Sequence, residues 1–154
     1  MNIYEENLKK FIQMNNIQCQ HLSFNQSCHS VEEAALAANA RPQDFVKNIC
    51  MIDSNNNLIV AIVKGEDRAS TTEVGKILHI DRPRTATLEE ILEKTGYPCG
   101  GTPSFGYPAK FLIDSRVVEM EFVYTGGGSE TSLVKISTKE LQKTNQGEIA
   151  KIRK

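Results

Sequence analysis

The richest concentration of residues able to shape a reactive surface is Gly96-Tyr97-Pro98-Cys99-Gly100-Gly101-Thr102-Pro103-Ser104-Phe105-Gly106-Tyr107-Pro108, with four glycines and three prolines in thirteen positions. Glycine lets a backbone come close to a ligand, and proline fixes the chain around it. Successive amides in such a loop can form an anion-binding concavity. A second run, Gly126-Gly127-Gly128-Ser129, has the composition of a plain hairpin connection as much as that of a binding turn. The chemistry open to loops of this kind is stabilisation of a developing oxyanion by backbone N–H groups. Removing one such donor typically costs about 2.7–4 kcal/mol.

Other reactive side chains are present without a recognisable catalytic pattern. Ser129 sits in G-G-S-E, which lacks the G-x-S-x-G nucleophile elbow, and no serine–histidine–carboxylate set can be assembled. His21 and His79 fall in ordinary elements, and His29 stands beside a helix start. Cys19, Cys28, Cys50 and Cys99 include no C-x-x-C pair and read as reduced thiols and core fillers. Cys19, His21, Cys28 and His29 match no common zinc spacing, so no metal is expected. Lys47 lies among the apolar residues Phe45, Val46 and Ile49. On residue types alone, such a lysine snorkels to solvent.

The elements that would hold these residues alternate between helix and strand. Tyr4, Leu8, Phe11 and Ile12 mark a helix over residues 3–14. A short strand follows from Ile17 to Phe24. Ser30 with Glu33 is a capping-box signal for a helix running to about Asn39, and the pattern recurs at Ser70/Glu73 and Thr87/Glu90. Gly96 can close the last of these helices as a left-handed cap. Phe45 to Asp53 and Leu58 to Lys64 are apolar runs joined by the turn Ser54-Asn55-Asn56-Asn57. Strands are expected near 110–114, 117–124 and 132–137, then a short helix near 138–143 and a last strand, EIAKIR. The chain reads as one α/β domain of α+β type over residues 1–154, with much antiparallel pairing.

Composition bounds the function. A chain of 154 residues with 40% hydrophobic and 24% charged residues is that of a globular protein with a real core. No apolar run approaches the roughly 20 residues needed to span a bilayer. The opening MNIYEENLKKFIQ is charged and amphipathic, unlike a secretory signal, so the cytoplasm is the expected location. A net charge of −1 argues against a protein that grips duplex nucleic acid through phosphates, yet allows one that needs only the end of an RNA. The cluster Lys151-Ile152-Arg153-Lys154 reads as a solvated tail.

The segment TGYPCGGTPSFGYPAKFLID, the strand after it and TGGGSETSLVKISTKEL resemble the YbaK/EbsC-type aminoacyl-tRNA deacylase family, which includes the editing insertion of bacterial prolyl-tRNA synthetases. SVEEAALAANARPQDFVKNICMI is similar to the family's capped helix, short linker and lysine-bearing strand, so the resemblance spans roughly residues 29 to 152. It implies a mixed, largely antiparallel curved sheet approaching a barrel, flanked by helices, with the pocket at one end. It implies that Lys47 lies in the pocket and is needed for deacylation. Gly100, Gly101 and Pro103 match the loop of the pocket floor, continued by Ser104 and Phe105, and Gly127, Gly128 and Ser129 match the turn closing the other wall. Asp114 is expected to fix structure. The chain departs from the family's G-G-x-P-P-F-G pattern at Ser104, which stands at the second proline and bears on pocket width and polarity.

The resemblance thus implies a hydrolase that clears mischarged tRNA by cleaving the ester at its 3′ acceptor end, for a small amino acid such as Ala or Cys on tRNA-Pro, without cofactor or metal. An aminoacyl ester is already activated, so positioned donors do most of the work. The amides of Gly101 and Thr102 are the candidate oxyanion donors, with Lys47 as a nearby cation rather than a base of strongly lowered pKa. The attacking water is expected to be assisted by the ribose hydroxyl of the substrate. The competing expectation is a non-catalytic module that binds an amino acid, an aminoacyl nucleotide or tRNA and docks on a synthetase.

Overall fold

The computed structural model describes residues 2–154. Helix α1 (Ile3–Met14) starts where the Asn2 side chain accepts from the amides of Tyr4 and Glu5, and it turns Leu8 into the core. Strand β1 (Cys19–Ser23) precedes α2 (Val31–Ala38). Ser30 caps α2 by accepting from the Glu33 amide at 3.1 Å, and Asn39 ends it in the left-handed region. After a 3-10 turn at Pro42–Asp44 come β2 (Val46–Ile52) and β3 (Leu58–Lys64). Their hairpin is shaped by Asp53, whose carboxylate accepts from the amides of Asn55 and Asn57 at 2.9 and 2.8 Å. Helix α3 (Thr71–Leu78), strand β4 (Arg84–Thr85) and helix α4 (Leu88–Thr95) follow. The Thr87/Glu90 box is complete, and Gly96 closes α4 at φ 83°.

The second half supplies β5 (Lys110–Asp114), β6 (Phe122–Gly126), β7 (Ser132–Ser137), α5 (Thr138–Asn145) and β8 (Glu148–Ala150). The strand expected at 117–124 is instead a 3-10 turn at Val117–Glu119, with β6 beginning at Phe122. The cause is local: the Asp114 carboxylate accepts from the Arg116 amide at 3.1 Å and turns the chain, and Val117 then plugs fully into the core. Strand β8 stops before the expected IR, because the amides of Ile152 and Arg153 donate to Asp114 Oδ1 instead of extending a ladder.

The strands form two sheets, one of three in the order β1-β7-β6 and one of five in the order β4-β2-β3-β5-β8. Among the named strands of the described residues, β3–β5 and β5–β8 pair in parallel and the other four pairs are antiparallel, so the mixed, largely antiparallel α/β architecture expected from the sequence is present. The sheets do not close into a barrel; an isolated parallel bridge between Phe45 and Tyr124 links them. Strand β3 explains its unbroken apolar run, because it is covered on both faces. Val60 and Ile62 pack in the main core with Leu8, Phe105 and Val134, while Ile59, Ala61 and Val63 pack with Val74 of α3 and Leu112. A smaller apolar cluster joins Ala34 and Ala35 of α2 to Phe45 and Leu133.

Candidate functional site

A cleft of about 170 Å³ opens between α2, β2, the loop after α4 and the end of β6. Its position follows from an incomplete sheet edge. Strand β4 pairs only with Met51 and Ile52 of β2, and the Phe45–Tyr124 bridge covers the other end. The stretch between them, Val46 to Ile49, borders the cleft. Phe45 and Tyr124 stack with ring centroids 4.8 Å apart and form one apolar side with Val31, Ala34 and Leu133.

The two glycine segments are joined to each other. The Gly128 amide donates to the Gly101 carbonyl at 2.8 Å, and a Cβ on Gly101 would come within 2.7 Å of the Gly128 oxygen. A Cβ on Gly126 would fall onto the Thr102 carbonyl. These close backbone approaches are the physical reason for glycine at both positions. The Gly101 amide donates to the Pro98 carbonyl at 3.0 Å and closes a turn, in which the Thr102 hydroxyl also donates to Pro98 at 2.9 Å. That bond occupies the Gly101 amide, one of the two expected oxyanion donors. The amides of Gly100 and Thr102 have no acceptor among the described residues, and both residues border the cleft.

Lys47 is half-buried on β2, borders the cleft, and has no ion-pair partner among the described residues. Its neighbour Asn48 leaves the opposite face of the strand. The Asn48 amide donates to the Thr102 carbonyl at 3.0 Å and to Thr125 Oγ1 at 2.9 Å. Ser104, fully buried behind these residues, donates to Asn48 Oδ1 at 2.6 Å. His29 lies over Gly100, where a Cβ would run into its ring, and its Nδ1 is 3.4 Å from Glu130 Oε1.

The remaining expected site residues stand behind the cleft wall. Phe105 is fully buried and stacks with Phe11 of α1, and the Pro103 carbonyl accepts from the Tyr107 hydroxyl at 2.6 Å. Gly127 accepts from His21 Nε2 at 2.7 Å. The Ser129 hydroxyl donates to Glu5 Oε2 at 3.0 Å and is buried there, so it does not border the cleft. Glu5 also accepts from the Ser23 hydroxyl at 2.6 Å. Burial pushes the Glu5 carboxyl up, but the bonds from Ser23 and Ser129 with the charges of His21 and Lys9 outweigh it, and the net shift is downward. Burial holds His21 below its usual value, and its Nδ1 is buried without a partner among the described residues.

Cys99 and Cys28 border the cleft, while burial beside Cys99 pushes the Cys50 thiol up to about 12. Cys19 packs against the main core and Cys28 against the α2 cluster. Sequence reasoning passed over Asn48 and Thr125. A lone Asn inside the apolar run of β2 was the available signal for the first; for Thr125, beside a glycine turn, there was none. The arrangement sets an apolar side, two amides and one ammonium, none of them partnered among the described residues, around one small cleft.

Residues 25–144 match the family described as Aminoacyl-tRNA editing domain. A proline–tRNA ligase of Geotalea daltonii is 27% identical over 101 residues, 66% of this chain but only 18% of the ligase. An uncharacterized protein of Bacillus subtilis, YwhH, is 22% identical over 120 residues, 77% of this chain and 76% of that protein. Among solved structures, a protein described as a candidate trans-editing enzyme for prolyl tRNA synthetase shares the fold with a TM-score of 0.91 at 21% identity, over 100% of this chain and 99% of that one. Among the described residues no helix is long and apolar enough to cross a membrane.

Proposed function

This chain belongs to the aminoacyl-tRNA editing domain family, and from that premise we propose that it is a cytoplasmic trans-acting deacylase. It cleaves the ester at the 3′ end of tRNA mischarged with a small amino acid such as Ala or Cys, with tRNA-Pro as the favoured carrier. The likeness of 101 residues to part of a proline–tRNA ligase supports that carrier. The observation that supports the reading is that Lys47, Gly100 and Thr102 border one small cleft, with the Lys47 ammonium and the Gly100 and Thr102 amides unpartnered among the described residues.

In the proposed reaction the acyl carbonyl oxygen points at the Thr102 amide, with Gly100 as second donor. Water attacks the carbonyl carbon, the oxyanion is held by those amides, and the C–O bond to the ribose breaks. The proton lost by the water goes to the departing ribose oxygen through its neighbouring hydroxyl. Lys47 supplies positive charge beside the acyl carbonyl or the phosphate of the terminal adenosine. Preorganised donors of this kind contribute most in a site of low polarity, and Phe45, Tyr124 and Leu133 line one side of the cleft with apolar surface. A cleft of about 170 Å³ suits a small aminoacyl group and supports the restriction to small residues.

The test is release of labelled amino acid from a panel of tRNAs mischarged with small amino acids. Multiple-turnover release of one or two of them is expected. Release no faster than spontaneous hydrolysis across the panel would refute the reading and favour a binding module.

A further inference from the structure

The hydrogen bonds around Ser104 form a closed ring whose proton directions can be worked out completely. The Thr102 carbonyl can only accept, so the NH₂ end of Asn48 faces it, at 3.0 Å. The second proton of that NH₂ goes to Thr125 Oγ1 at 2.9 Å. Asn48 Oδ1 can only accept, so the 2.6 Å contact takes the single Ser104 proton. The remaining 2.7 Å contact between Ser104 Oγ and Thr125 Oγ1 must then be donated by Thr125. Every proton of the ring is used within it. Asn48, Thr102 and Thr125 border the cleft, and what the Asn48 and Thr125 side chains and the Thr102 carbonyl have left to offer is acceptor lone pairs alone.

We propose that these acceptors bind the free α-ammonium of the aminoacyl group, and that Ser104 is the positioning residue that keeps the Asn48 and Thr125 protons inside the ring. The inference rests on the deacylase reading and names the part of the substrate that the site selects. An ammonium is the strongest complement to a set of neutral acceptors, since hydrogen bonds to charged groups are roughly twice as strong as neutral ones. In the proposed pose one aminoacyl group meets both sets of atoms: the Thr102 amide takes its carbonyl oxygen while the Thr102 carbonyl and Asn48 Oδ1 take its ammonium, three bonds away. An ester whose nitrogen is acylated has lost the charge and gained bulk, and is rejected. Ser104 touches no substrate. It is fully buried and acts by holding Asn48 Oδ1 and by accepting the Thr125 proton. With alanine at 104 the ring opens, and the Thr125 hydroxyl is free to aim its proton into the cleft.

The experiment compares hydrolysis of a small-aminoacyl tRNA with that of its N-acetylated form, each rate divided by the spontaneous rate of the same ester. Wild-type protein is expected to prefer the free-amino ester by about tenfold or more, the scale of a charge-assisted hydrogen bond. Ser104→Ala and Thr125→Val are expected to reduce that preference several-fold, whereas Thr125→Ser, which retains the hydroxyl, keeps it. Equal hydrolysis of both esters by wild type would overturn the inference and leave the deacylase reading standing. A Ser104→Ala variant that slows both esters alike, with the preference intact, would overturn the role of Ser104. Hydrolysis of neither ester by wild type would refute the deacylase reading and this inference with it.

Discussion

Replacing Glu5 by glutamine isolates the contact that seats α1 on the glycine turn behind the cleft. Glu5 is 7% exposed, and its two oxygens accept from Ser23 at 2.6 Å and Ser129 at 3.0 Å. Hydrogen bonds to a charged group contribute about 1.5–3 kcal/mol against about 0.5–1.5 for neutral ones. Glutamine preserves the shape but neutralises both bonds and turns an NH₂ toward one hydroxyl. The expected loss is about 2 kcal/mol at pH 7, or about 4–8 °C in Tm for a chain of this length. The pH dependence gives a second check. The folded carboxyl lies below its ordinary value of 4.5, so its contribution is complete above that value and is lost as pH falls through the folded one. Urea unfolding of wild type and Glu5→Gln should therefore show midpoints well apart at pH 7, converging toward acid, with the slope m unchanged. Coincident midpoints at pH 7, or a gap that stays constant through the carboxylate range, would refute the reasoning.

Three further changes probe the frame around the cleft. His21 is held below 6.5 by burial, so the unfolded chain binds its proton more tightly, and stability should fall as pH drops below 6.5; in thermal melts across pH 5–7, on the order of the normal His range, His21→Gln should lose that part of the dependence. Gly126→Ala places a Cβ on the Thr102 carbonyl and should cost about 1–3 kcal/mol in urea unfolding, with amide NMR shifts concentrated at 100–102. Asp114 is fully buried and accepts from the amides of Arg116, Ile152 and Arg153 and from the Arg153 guanidinium at 2.9 Å. Asp114→Ala should cost about 3–5 kcal/mol and speed hydrogen exchange at the amides of residues 152–153.

Features encoded within a few residues were legible in the sequence. Ser30, Ser70 and Thr87 each bond an amide three residues on, and Gly96 closes a helix from its own backbone freedom. The apolar run Leu58–Lys64 was legible as a strand, whereas its burial on both faces depends on α3 and the main core, which lie far off in sequence. The turn at Val117–Glu119 was hidden because its apolar residues mimic a strand, and only the Asp114 carboxylate bends the chain there. The family resemblance directed attention to Lys47 and to the glycine loop, two parts of the cleft rim. It did not disclose Asn48 and Thr125, whose roles depend on bonds across 54 and 77 residues. Nor did it disclose that Ser129 is engaged by Glu5, 124 residues away. The Asn48 bonds form where β2 meets the glycine loop and β6, and the Ser129–Glu5 bond forms where α1 packs on the turn between β6 and β7, and no local spacing records either.

The central claim is that the cleft beside Lys47 cleaves the aminoacyl ester rather than merely holding it. The most direct measurement is single-turnover deacylation by wild type and Lys47→Ala, alongside the Kd of each for the same tRNA carrying a non-hydrolysable aminoacyl amide. The account predicts that Lys47→Ala loses about 10²–10³-fold in the hydrolytic rate, the scale of one preorganised electrostatic contact, while Kd changes far less. An unchanged rate in a folded Lys47→Ala protein, or a loss wholly explained by weaker binding, would contradict it.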